Sequence, residues 1–226
     1  MPVQIHGGVI RGPDRWAVVL PFKVLSAAKT RLLPTNDPAR PELALAFMQD
    51  VLSALSDAEA VAQITVVTDD LAVQQVATAA NHHWVPEAPH RGLNEAALFG
   101  ASLTPPHLGI AIVVGDLPCL TGEVVDLVLR SACIYERTFV ADTQGVGTTM
   151  LMSHTIAGCT PAFGERSRAR HAARGYVELG LSEIAPESHR LARAHRDVDT
   201  QVDLWDAIRI GVGPATRSAL PANLQS

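Results

Sequence analysis

The chain has 226 residues, of which 47% are hydrophobic and 18% charged, with a net charge of −5 and a mean hydropathy of +0.16. These values exclude a disordered or low-complexity chain, and the acidic balance argues against a nucleic-acid surface while leaving room for a local basic site. The length suits one sizeable core rather than two full domains. Apolar runs such as Gly109-Ile110-Ala111-Ile112-Val113-Val114 fall far short of the ~20 residues a membrane span needs. The opening MPVQIHGGVIRGPDRW lacks the apolar stretch of a secretory signal. Three cysteines, Cys119, Cys133 and Cys159, form no C-x-x-C pair. That argues against a disulfide framework or a zinc ribbon and fits a reducing cytoplasm.

Residues 1–15 read as a loose arm, 16–213 as one ordered domain and 214–226 as a polar, frayed tail. Within the domain, strands and helices alternate. Trp16 to Phe22 reads as a buried strand. Asp37 and Pro38 announce a helix, and Leu43, Phe47, Val51 and Leu55 give it an apolar stripe. Ile64 to Thr68 is a short apolar run ending at Asp69-Asp70, and a helix is expected over 71–80. A third strand is expected at His82–Val85, a helix over 94–103, and the clearest buried strand over 109–115. A helix over 123–132, strands over 138–141 and 148–153, and a late helix over 203–210 follow. This alternation predicts an α/β fold: a single mostly parallel sheet with helices on both faces. In such sheets ligands bind beyond the carboxyl ends of the strands, so polar residues just after each strand are the candidates for chemistry.

After the first strand, Lys23, Lys29 and Arg31 fall in a segment, 21–32, without an acid. Three cations there can neutralise a triphosphate, although a solvated basic loop has the same composition. The segment is not a Walker A loop. Gly115-Asp116-Leu117-Pro118 follows the central strand. An acid there can hold magnesium, which commonly takes one or two protein carboxylates plus substrate oxygens, or it can serve a turn. Asp197, Asp199 and Asp203 form a later acid cluster that either completes a metal site with Asp116 or caps the following helix with Asp199 or Thr200. Gly145 to Thr149 is either an anion-binding loop or a hairpin turn. In Phe163–His171, Ser167 sits at a helix start among arginines, which suits an anion or a plain exposed basic helix. The nine histidines show no metal spacing and read as ordinary core or surface residues, and Cys119 as a core thiol. There is no nucleophile elbow, so covalent catalysis is not indicated.

Taken in series, P-F-K-x-L-S-x-A-K-T-R-L (21–32), V-V-T-D-D (66–70), L-N-E-A (93–96), G-D-L-P (115–118), A-D-x-x-G-x-G-T (141–148), F-G-x-x-S-x-A-R-H (163–171) and D-V-D-T (197–200) resemble the guanylyltransferases of coenzyme F-420 biosynthesis. The ending Gly211-Val-Gly-Pro-Ala-Thr216 looks like the actinobacterial branch. The resemblance covers about 16–213 and implies a nucleotide-diphosphosugar-transferase-like (Rossmann-like) fold. It implies transfer of GMP from GTP to phosphoenolpyruvate, with 2-phospho-L-lactate, a molybdopterin-type or a sugar-phosphate acceptor as alternatives. A non-catalytic nucleotide-binding protein is the alternative of another class. The resemblance puts phosphoenolpyruvate contacts at Thr148, Gly164 and Ser167, nucleotide contacts at Lys23, Lys29, Arg31 and Asn94, and Mg2+ at Asp116 and Asp199. Lys23, Lys29, Arg31 and Asp116 then carry catalysis by charge neutralisation. No membrane or nucleic-acid partner is implied, and a homo-oligomer is left open. Gln201 departs from the family's usual Pro after D-V-D-T.

Overall fold

The computed structural model describes residues 12–23, 25, 32, 37, 39–87, 92–180 and 188–221. Seven strands make one sheet: β1 (Trp16–Pro21), β2 (Val61–Val67), β3 (His83–Val85), β4 (Gly109–Val113), β5 (Arg137–Ala141), β6 (Thr148–Ser153) and β7 (Val177–Glu178), in the order β3-β2-β1-β4-β6-β5-β7. Only β6 runs against its neighbours, β4 and β5; the other pairings are parallel. The expected mostly parallel sheet is therefore present.

The strands read as continuous apolar runs because both faces are covered. Along β1, Val18 and Leu20 enter one core while Val19 enters the other. Along β4, Ala111 and Val113 alternate in the same way with Ile110 and Ile112. This is the period-two geometry of a strand, with apolar residues on both sides. The first core lies under helices α1 (Ala39–Asp57), α2 (Leu71–Ala79), α4 (Gly122–Ala132) and α6 (Ser188–His195). The second lies under α3 (Leu93–Ser102) and a layer containing Phe163 and Tyr176.

Helix α1 shows why the pattern works. Its start is fixed by Asp37, whose carboxylate accepts the Ala39 N–H at 2.9 Å. Leu43, Phe47, Val51 and Leu55 are all buried, each contributing roughly 1.5–3 kcal/mol. Phe47→Ala would open a cavity costing about 3–5 kcal/mol.

Two boundaries differ from the sequence expectation. The ordered domain does not end at 213: α7 (Gln201–Ile210) leads into α8 (Pro214–Ala219), which lies on α1. Asp50 of α1, itself buried, accepts the N–H groups of Ala215 and Thr216 at 2.9 Å each. Gly213-Pro214 thus opens a helix, with Pro in the first turn where its missing N–H costs nothing. At the other end, residues 12–15 are tied to the domain. Gly109 donates its N–H to the Arg15 carbonyl, and Cys133 its thiol to Pro13. The rest of the expected arm, 1–11, and the tail beyond 221 lie outside the described residues. Among the described residues no helix is long and apolar enough to cross a membrane.

Candidate active site

Two strand ends, a helix start and one late loop meet at a cavity of about 430 Å³, lined by Phe22 and Lys23 after β1, Gly115 and Asp116 after β4, Leu93 of α3, and Asp199. Two acids far apart in sequence share this space because the chain crosses itself beside β4. Val198 donates its N–H to the Asp116 carbonyl at 3.1 Å, and Gly213 donates to the Pro118 carbonyl at 2.8 Å. Gly115 is buried, and a Cβ there would come within 2.5 Å of the Phe22 ring. Only glycine lets that ring lie so close to the strand end.

The open question about the late acids has a clear structural answer. Thr200, not Asp199, caps α7: its hydroxyl accepts the Asp203 N–H. Asp203 answers with its own carboxylate, which accepts the Thr200 N–H at 2.8 Å and the Thr200 hydroxyl at 2.7 Å. Asp203 thus serves the capping box, while Asp199 and Asp116 both line the cavity. Arg196 pairs with Asp203 and Asp206, and Arg193 holds the carbonyls of Cys119, Ile210 and Gly211. Asp197 does not line the cavity.

The acceptor-side candidates form a second group next to the first. Asp142 accepts the N–H groups of Val146 and Gly147 at 2.8 and 2.7 Å, closing the loop that enters β6. A bulge where β5 meets β6 pairs Ala141 with Thr148 and Val140 with Met150, leaving Thr149 as the extra residue. Thr149 turns its hydroxyl to the Ala194 carbonyl of α6, whereas Thr148 faces the other way, toward His171. Helix α5 (Ser167–Ala173) docks on the same loop, with the Arg168 N–H bonded to the Val146 carbonyl. Ser167 is buried, and Gly164 is exposed with φ +108°, a left-handed conformation that glycine adopts without a side-chain penalty. Arg166 also has a positive φ, 55°. Two such residues between Phe163 and Ser167 mark a constrained turn.

Asn94 links the two groups. Its side-chain carbonyl accepts the Phe163 N–H at 2.7 Å, and its amide donates to the Phe163 carbonyl at 3.1 Å. It therefore clamps the segment preceding Gly164, and its neighbour Leu93 lines the two-acid cavity. Val114 donates to the Thr149 carbonyl, so the start of β6 lies beside the end of β4.

Of the three cations expected at the nucleotide, Lys23 lines the cavity and is exposed. Lys29 and Arg31 lie outside the described residues. Leu25, in the same segment, donates its N–H to Asp70 at 2.9 Å, and the other Asp70 oxygen caps α2. Sequence reasoning attached no role to Asp70 beyond its motif, nor any to Asp142 or His171. Asp70 and His171 act through hydrogen bonds to segments away from their own, which spacing does not reveal, whereas Asp142 closes its own loop.

Whether a divalent metal fits is decided by the donors. Two acids, Asp116 and Asp199, line one cavity. Among the described residues no group of three His, Cys, Asp or Glu could enclose an ion. Oxygen-only donors, few in number, suit a hard cation that completes its shell with phosphate oxygens and water. A larger cavity, about 650 Å³, lies beside Asp142, Arg168, His195 and Arg196. Its two acids are already engaged, Asp142 by the Val146 and Gly147 N–H groups and Glu178 by Arg168, so the smaller cavity is the better catalytic candidate.

Burial disfavours the thiolate form of the cysteines. Burial pushes Cys119 and Cys159 up to about 12, against partial relief for Cys119 from Arg193 and Arg196.

Comparison with known proteins shows the family. The family model described as guanylyl transferase CofC like matches residues 16–220. The chain belongs to the CofC-like guanylyl transferase family. It is 41% identical over 212 residues to the phosphoenolpyruvate guanylyltransferase of Thermomonospora curvata, covering 92% of this chain and 90% of that one. It is 41% identical over 214 residues to the phosphoenolpyruvate guanylyltransferase of Streptomyces coelicolor, covering 93% and 97%. Among solved structures, a putative nucleotide-diphospho-sugar transferase from Desulfovibrio desulfuricans matches with a TM-score of 0.56 at 14% identity, covering 86% of this chain and 95% of that chain. Rv0371c of Mycobacterium tuberculosis, crystallised with manganese, matches with a TM-score of 0.51 at 16% identity, covering 87% and 97%. At these identities the structural matches establish the fold, which is the nucleotide-diphosphosugar-transferase-like one expected.

Proposed function

We propose that this CofC-like enzyme transfers GMP from GTP to phosphoenolpyruvate, giving enolpyruvoyl-2-diphospho-5′-guanosine and diphosphate in coenzyme F-420 biosynthesis. The observation that carries the reading is the cavity shared by Lys23, Asp116 and Asp199 at the strand ends of a guanylyl transferase fold. The names of relatives with about 40% identity support phosphoenolpyruvate as the acceptor.

The chemistry asks little of proton transfer. An acceptor phosphate oxygen, ionised near neutral pH, attacks the α-phosphorus of GTP, and the bond to the bridging oxygen breaks to release diphosphate. The protein's task is alignment and charge neutralisation. Asp116 and Asp199 would hold Mg2+, which supplies Lewis-acid stabilisation of the phosphate oxygens when bound. Lys23 adds positive charge at the same cavity, and Lys29 and Arg31 are assigned to the triphosphate from their place in the segment. Thr148 and Ser167 supply hydroxyl donors, and Gly164 a backbone that a small anion can approach. Asn94 serves by holding the Phe163–Gly164 segment.

A non-catalytic nucleotide binder has less use for paired metal carboxylates. The test is magnesium-dependent diphosphate release from a panel of nucleoside triphosphates against phosphoenolpyruvate and 2-phospho-L-lactate. Release with GTP and phosphoenolpyruvate, and a guanylylated product, is expected. Release only with 2-phospho-L-lactate would move the acceptor assignment, and no release with any acceptor would favour the binder.

A further inference from the structure

His171 is fully buried, and both ring nitrogens are engaged. Ala162 donates its backbone N–H to Nε2 at 2.9 Å. A backbone N–H can only donate, so Nε2 must be the unprotonated nitrogen. The ring proton therefore sits on Nδ1, which lies 2.9 Å from the Thr148 hydroxyl oxygen. Thr148 accepts that hydrogen bond and keeps its own hydroxyl hydrogen for another partner. The ring cannot turn freely, because Phe163, Tyr176 and Phe139 pack at centroid distances of 5.2, 5.6 and 5.9 Å.

We propose that His171 is a positioning residue for guanylyl transfer: one ring nitrogen orients the Thr148 hydroxyl as a hydrogen-bond donor toward the acceptor, while the other fixes the segment that presents Gly164. The second effect is reinforced by Asn94. Ala162 and Phe163 have consecutive N–H groups, held by His171 and Asn94 respectively, and the next residue is Gly164. One imidazole thus ties together the β6 entry and the 162–164 turn, the two loops assigned to the acceptor. Burial favours the neutral ring this arrangement needs, and Arg170 and Arg174 nearby act in the same direction.

The inference rests on the assignment of Thr148 to the acceptor, so the experiment separates the two. Asn at 171 can place a donor near the Nδ1 position but lacks reach to Ala162. Gln can place an acceptor near Nε2 but offers Thr148 nothing. Steady-state kinetics in phosphoenolpyruvate, GTP affinity and thermal melts are measured for Thr148→Val, His171→Gln, His171→Asn and the Thr148→Val/His171→Gln double variant. Thr148→Val and His171→Gln should each raise the phosphoenolpyruvate KM about tenfold, the size expected for one hydrogen bond to a charged group. His171→Asn should stay within about threefold of the parent, whatever its melting temperature, and GTP affinity should not move. The double variant should be no worse than Thr148→Val alone, because both changes remove one interaction. If Thr148→Val raises KM and His171→Gln does not, His171 has no positioning role and the acceptor assignment stands. Effects that multiply in the double variant, or KM changes that follow melting temperature, would also overturn the positioning role. If Thr148→Val itself leaves KM unchanged, it is the acceptor assignment that fails.

Discussion

Val198 donates its backbone N–H to the carbonyl oxygen of Asp116 at 3.1 Å. This bond fastens the loop before α7 to the end of β4. It brings Asp116 and Asp199, far apart in sequence, to one cavity. The late acids then divide their work: Asp203 builds the helix start, and Asp199 faces the cavity.

That division predicts opposite outcomes for two conservative changes. Asp203→Asn weakens the capping box and the Arg196 pair, so it should cost about 1–2 kcal/mol in urea unfolding. Asp199→Asn should leave unfolding within about 0.5 kcal/mol of the parent, while turnover falls by orders of magnitude. Unfolding curves beside diphosphate-release rates on both variants check this.

Asp70 joins α2 to the segment carrying the cations. Asp70→Ala removes the α2 cap and the Leu25 anchor together. It should destabilise the protein by about 1–2 kcal/mol and raise the KM for GTP more than that for phosphoenolpyruvate. Equal effects on both substrates would mean that the anchor serves only stability.

His171 makes stability depend on pH. Its folded pKa is lowered from 6.5 to about 4, chiefly by burial and secondarily by Arg174 and Arg170. Between those values the unfolded chain binds the proton and the folded one does not, so stability falls as pH drops from about 6.5 toward 4. Protonation would also set two donors face to face at Ala162. The effect should reach on the order of 2–3 kcal/mol. Urea unfolding at pH 7 and pH 4.5 should show a larger loss for the parent than for His171→Gln. Equal losses would contradict a buried neutral imidazole.

The buried thiols give a simple check on the cores. Cys119 and Cys159 are raised to about 12, and Cys133, half-buried and raised by burial, donates to the Pro13 and Leu129 carbonyls. A thiol reagent at pH 8 should label native protein slowly and the denatured chain at all three cysteines. Fast native labelling would mean the packing around Cys133 opens readily.

The strands were legible because parallel strands buried on both faces are apolar throughout, as at Trp16–Pro21 and Gly109–Val113. Asp116 was legible as a site candidate because it lies just beyond the end of such a strand. Helix α6 was not, since Ser188–His195 is basic and only a few small apolar residues, such as Leu191 and Ala194, mark its buried side. Helix α8 was hidden because Gly213-Pro214 reads equally as a stop and as a start. Strand β7 has only two residues, too few to show a period. Asn94 was read as a nucleotide contact, and its side-chain amide also holds Phe163, a partner no local pattern could reveal. The same holds for His171 and Thr148, which meet only once α5 docks against β6.

On the proposed reading, Asp116 and Asp199 hold the metal at the cavity where GMP is transferred. The most direct measurement is single-turnover diphosphate release from GTP with phosphoenolpyruvate and magnesium, comparing the parent with folded Asp116→Asn. A group that neutralises transition-state charge through a metal should cost at least ~10³-fold when lost. That loss is expected, with an unchanged melting temperature and only partial recovery at high magnesium. Near-parental release by folded Asp116→Asn would contradict it.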